Sequence, residues 1–110
     1  METKSLSEST ICCFGDSTTW GDNGCGAGGN DISWTSHLGA LLGGAVVENF
    51  GIKGSRIAIK ADRTDSFVER LDGIDDAADI YIVFGGVNDF SRNVPLGELG
   101  STDVHEFYGA

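Results

Sequence analysis

Basic residues are scarce. Against 17 Asp plus Glu, the 110-residue chain carries 7 Lys plus Arg, giving a formal net charge of −10. That sign argues against nucleic acid or an anionic membrane as the main partner, since both are bound through cationic surfaces. Long apolar runs are missing too. None approaches the roughly 20 residues of a membrane-spanning helix, and Met1–Thr10 is polar rather than a signal peptide. Cysteine is confined to positions 12, 13 and 25, an odd number with no pairing framework. Neighbours in a strand point to opposite faces, so Cys12 and Cys13 do not easily share one partner or one metal. Both read as small buried hydrophobes, Cys25 as a loop thiol, and a reducing, cytoplasmic compartment is the expectation. There is no internal repeat or low-complexity tract. Asp22, Asn23 and Asp31 fall close together, but their spacing fits no calcium loop.

Glycine is abundant instead: 17 residues, about twice the usual share, so tight turns and close backbone approaches are expected. The length allows one domain, residues 10–110, behind a polar, loosely attached tail at residues 1–9. Ile11-Cys12-Cys13-Phe14 is a short apolar run bounded by turn residues, the pattern of a strand buried on both faces. A glycine-rich loop from Gly21 to Asn30 follows. Trp34, Leu38, Leu41 and Leu42 share one helical face, predicting a helix from about Ile32 to Leu42, capped by Asn30 or Asp31 and stopped by Gly43-Gly44. Ala45–Phe50 is a second strand. A second helix is predicted from Asp62 or Asp65 to Leu71, with Phe67, Val68 and Leu71 inward, and Asp79–Phe84 is the third strand. Strand, helix, strand, helix, strand implies a parallel α/β sheet. Asp103-x-x-Glu106 reads as the capped start of a further helix carrying Phe107 and Tyr108. Two helices cannot cover a three-stranded parallel sheet. The expectation is therefore the N-terminal part of a longer domain, or else a small protein that completes its sheet by self-association.

Parallel strands put their C-terminal ends on one side. Gly15-Asp16-Ser17, Asn49–Gly54 and Gly85–Asp89 should converge there. Acyl transfer needs a nucleophile and hydrogen-bond donors aimed at the developing oxyanion. Ser17 offers a hydroxyl and its backbone N–H, Gly54 an unobstructed N–H, and Asn88 a neutral side-chain NH₂. Asp16 and Asp89, beside these positions, read as turn stabilisers. Trp20 and Trp34 read as packing residues, with Trp20 also placed to line a pocket.

G-D-S at 15–17, N-x-G-x-x-G at 49–54 and G-x-N-D at 86–89 resemble, in order and position, the first three blocks of the SGNH hydrolases, the GDSL lipase/esterase family. The resemblance covers roughly residues 10–90. It implies a flavodoxin-like three-layer α/β/α domain that cleaves acyl or acetyl esters of carbohydrates or small lipids. Ser17 would be the nucleophile and an oxyanion donor, with Gly54 and Asn88 the other donors. No metal or organic cofactor is implied.

One block departs. The family's D-x-x-H, which supplies the general base and its orienting Asp, is absent: Trp34 precedes His37 by three residues, and Thr102 precedes His105. Without a base a serine hydroxyl is a poor nucleophile, so the chain alone is expected to be nearly inactive, with the base beyond residue 110. His105 beside Asp103 reads as a surface histidine, since an i, i+2 pair does not face one way on a helix. His37 falls on the first helix and reads as solvent-facing or packing. Gly24–Gly29 satisfies G-x-G-x-x-G, but no strand directly precedes it, so it reads as a flexible loop. Asp72, Asp75, Asp76 and Asp79 read as a solvated acidic loop. Two alternatives stay open: a non-catalytic glycan- or peptide-binding module on the same fold, and a flavodoxin-like nucleotide or flavin binder.

Overall fold

The three apolar segments pair as expected into a parallel sheet of order β2-β1-β3, with β1 at Thr10–Gly15, β2 at Val46–Gly51 and β3 at Ile80–Phe84. β1 lies between its partners, which is why its residues from Ile11 to Gly15 are all buried. Ile11 pairs with Val47 on one side and Ile80 on the other, and Gly15 pairs with Gly51 and Phe84, so the three strands end level. The chain is thus an α/β protein, as its strand–helix alternation requires. The computed structural model describes residues 3–110, which divide into two compact units. The first runs to Lys53 and resumes at Ile74–Phe84; the second comprises Gly54–Gly73 and Gly85–Ala110.

In the first unit, Ile11, Cys13 and Ala45 form the core, with Trp34, Leu38, Leu42, Val47, Ile80 and Ile82 packed against them. Cys12 and Phe14 bury on the opposite face of β1. The two strand thiols are free and buried and Cys25 is exposed, with burial pushing the Cys13 thiol up to about 11. A short helix, α1 (Ser17–Trp20), follows β1, and α2 (Trp34–Leu41) leads into β2. Ser33, not Asn30 or Asp31, caps α2 by accepting from the Thr35 amide. Asn30 is diverted: its Oδ1 accepts from Asn49 and Thr35. Leu41 is 80% exposed, contrary to its predicted inward position. The contact face of α2 is centred instead on buried Thr35 and on Gly39, where a Cβ would lie 2.6 Å from the Ala45 carbonyl oxygen. That rotation turns Leu41 to solvent.

The polar segment before β1 is tied down rather than loose. Asp79 Oδ2 accepts from both Lys4 Nζ and the Thr10 amide at 2.9 Å, so Asp79 anchors the strand entrance and does not merely solvate a loop. The amide of Thr10 is the first contributor, Lys4 the second, to holding the Asp79 carboxyl below the usual carboxylate range.

The second unit contains α3 (Phe67–Arg70), a single 3₁₀ turn at Leu71–Gly73, and α4 (Val87–Ser91). α3 starts later than predicted because Asp62 and Asp65 do not act as caps. Their carboxylates are taken by Arg56 and Arg63, and Ser66 caps the helix in a reciprocal box with Glu69. Phe67 is buried, Val68 half-buried, and Leu71 is exposed rather than inward because it lies past the helix end. The predicted final helix does not form. The Phe107 and Tyr108 amides donate to the Pro95 and Leu96 carbonyls at 2.9 and 3.0 Å, which removes them from any helical ladder, and residues 104–109 fold as turns. No described helix is long and apolar enough to cross a membrane.

Candidate active site

Ser17 owes its position to two neighbours. A Cβ on Gly15 would lie 2.2 Å from Thr19 Oγ1 and 2.8 Å from the Phe84 carbonyl oxygen, so only glycine lets the chain fold back over the end of β1. Asp16, 1% exposed, then caps α1 by accepting from the Thr18 amide at 3.1 Å. This is the turn-stabilising part expected of it. Ser17 is the first residue of α1 and half-buried, and among the described residues no side chain engages its hydroxyl. The hydroxyl is therefore available for chemistry.

In the same unit, Trp20, Asn30, Val47, Asn49 and Gly51 line an open cleft of about 470 Å³. Trp20 is thus a cleft wall as well as a packing residue, with the Lys53 ammonium 4.8 Å from its ring centroid. Lys53 Nζ also lies 3.5 Å from Asp22. Asn49 braces the cleft. Its Nδ2 donates to the Thr19 carbonyl at 2.8 Å and to Asn30 Oδ1 at 3.1 Å, while its Oδ1 accepts from the Gly51 amide at 2.8 Å. The wall is mostly polar, which suits a hydroxyl-bearing ligand. Along Gly24–Gly29 the backbone is held by Asp22 and Asn23 side chains in successive turns, a loop as read from the sequence.

Gly54 opens the second unit with φ of 77°, a left-handed conformation in which a side chain is strained. Two residues of the third block reach the loop that follows it. Asn88 Nδ2 donates to the Ser55 carbonyl at 2.9 Å, leaving the second N–H of its amide for another acceptor. Asp89, 2% exposed, accepts from the Ile57 amide at 2.8 Å and from the Ala58 amide at 3.0 Å. The structure therefore brings the Gly54 loop and Asn88 together, and Asp89 is more than a local turn stabiliser. Sequence reasoning missed that long-range link; the only signal in the sequence is the acid directly after the candidate donor.

Neither histidine is part of this constellation. His37 is exposed on α2. His105 is exposed as well, but its Nδ1 lies 2.9 Å from Asp103 Oδ1, so the pair does meet, contrary to the helical reading, because this stretch is a turn. The His105 amide first, and its ring second, hold the Asp103 carboxyl below the usual range.

Comparison with known proteins extends this picture. The model of the GDSL-like lipase/acylhydrolase family matches residues 13–108. One solved crystal structure is 96% identical over 96% of the chain, with a TM-score of 0.94. A protein from Lactobacillus plantarum is 34% identical over 97% of the chain, with a TM-score of 0.75. A possible lipase from Chitinophaga pinensis, 23% identical over 93% of the chain with a TM-score of 0.66, shares the fold. The chain spans 48%, 47% and 40% of these three structures, about half their length or less. No match was found among curated proteins.

Proposed function

The chain belongs to the GDSL-like lipase/acylhydrolase family, and from that premise we propose that it carries the nucleophile and oxyanion donors of a serine ester hydrolase. Ser17 Oγ attacks the ester carbonyl, and the Ser17 amide, the Gly54 amide and Asn88 Nδ2 receive the negative charge that develops on the carbonyl oxygen. The hydroxyl proton passes to a general base and then to the departing alcohol. Water, deprotonated by the same base, releases the acyl group and restores Ser17. The sequence contains no D-x-x-H, so the base belongs to residues outside this chain, and the chain alone is nearly inactive.

The observation that carries this reading is the level ending of the three strands. Gly15, Gly51 and Phe84 pair across the sheet, and Ser17, Gly54 and Asn88 follow them by two, three and four residues. Open α/β sheets bind ligands beyond the carboxyl ends of their strands. The polar cleft at Trp20, Asn30 and Asn49 favours an ester whose alcohol is hydroxylated, such as an acylated or acetylated carbohydrate, over a small lipid ester. The same cleft gives a second reading some support: a module that binds glycans and does not turn them over.

Turnover of a short-chain aryl ester separates the two. It is measured on a protein of the length of the 96%-identical relative that contains this chain. Ser17→Ala should reduce kcat by roughly 10⁴- to 10⁶-fold. Undiminished hydrolysis in that variant would remove the mechanism, and glycan binding by a parent protein without turnover would favour the binding module.

A further inference from the structure

Asp89 is a buried carboxylate that the reaction does not use directly, and its surroundings show what it holds. Both oxygens accept backbone amides, Oδ2 from Ile57 and Oδ1 from Ala58, and the side chain is 2% exposed. The segment it grips begins at Gly54. The same segment is held at Ser55 by Asn88 Nδ2 at 2.9 Å and by Arg70 Nη2, 3.1 Å from Ser55 Oγ. The Phe67 amide at the start of α3 donates to the Arg56 carbonyl at 2.8 Å, completing the attachment. Asp89 itself is fixed in α4, where the Val94 amide donates to its carbonyl at 3.0 Å.

We infer that Asp89 is a positioning residue that locks the Gly54 loop to Asn88, so that two oxyanion donors from distant parts of the sequence keep one fixed spacing. The inference rests on the hydrolase reading above. Such a lock depends on charge. A carboxylate accepts two amides at once through charge-assisted hydrogen bonds, whereas a carboxamide has a single acceptor and turns an NH₂ toward one of the donors. A donor displaced by a fraction of an ångström loses its aim at the transition state while the substrate's ground-state contacts survive.

The test is Asp89→Asn in the longer protein, with Ser17 active sites counted by burst titration so that unfolded molecules do not enter kcat. The expected result is a fall in kcat per titrated site of about a hundredfold, KM within about twofold, and a boronate that forms a tetrahedral adduct weakened by the same factor as kcat/KM. A lower titre with kcat per site unchanged would show a purely structural carboxylate and overturn the inference. Should Asp89→Asn not fold, amide exchange in the parent protein decides. Ile57 and Ala58 should be protected to the level of global unfolding, and exchange as fast as that of exposed loops would contradict the lock. Ser17→Ala serves as the control: if it too hydrolyses ester normally, the hydrolase reading fails, whereas an inactive Ser17→Ala beside an unimpaired Asp89→Asn sinks only the role of Asp89.

Discussion

The two units bury different chemistry. The unit that contains the sheet buries Ile11, Cys12, Cys13, Phe14 and Ala45, and its buried polar residues, Ser9, Asp16, Thr19, Ser33 and Thr35, are uncharged except for Asp16. The other buries Ala58 and Phe67 beside Ser55, Arg56, Ser66 and Asp89. Apolar burial is non-directional and tolerates small shifts, whereas a buried charge is stable only with its partners in place. The sheet unit is therefore built for stability. The second unit is held by directed bonds that fix backbone positions, which is what the oxyanion donors proposed above would require.

Deleting apolar volume should break the first unit hardest. Ile11→Ala is expected to cost about 2–5 kcal/mol in urea unfolding, while Leu41→Ala, on the exposed side of α2, should stay within about 0.5 kcal/mol. Equal losses at the two sites would contradict the packing described for α2. Acid should have a smaller effect, which the Arg63–Asp65 pair reports in the second unit. Arg63 bonds Asp65 through Nε at 2.9 Å and holds its carboxyl below the usual range. Because the folded value is depressed, this contribution is fully present above the unfolded carboxylate value of about 3.9. It is lost as pH falls through the lower folded value. The pair is partly solvent-screened, so its contribution is below about 1 kcal/mol. Asp65→Asn should flatten the decline of the urea midpoint as pH falls below about 4; an unchanged slope there would remove the pair from the account.

The same contrast explains what could be read from the sequence. The strands were legible because apolar, β-branched runs closed by glycines have few other uses, and Gly15 and Gly51 mark where they stop. The three blocks were legible through their residue types. Helix limits were not. Asn30, Asp62 and Asp65 resemble caps, yet each spends its side chain on another side chain, and Ser33 and Ser66 take the caps instead. Asp103-x-x-Glu106 misled for the same reason: the following amides pair with Pro95 and Leu96, a tertiary choice that no local pattern encodes. Asp89 reads locally as a turn stabiliser, but its partners lie more than thirty positions away, at Ile57 and Ala58.

In the proposed mechanism Ser17 is a nucleophile served by Asn88. Its most direct measurement is the rate at which a fluorophosphonate labels a protein of the 96%-identical relative's length that contains these residues, with the labelled peptide identified by mass spectrometry. The account predicts label on the peptide containing Ser17, none in Ser17→Ala, and a rate about a hundred- to a thousandfold slower in Asn88→Ala, the usual cost of one lost oxyanion donor. Label on another residue, or an undiminished rate in Asn88→Ala, would contradict it.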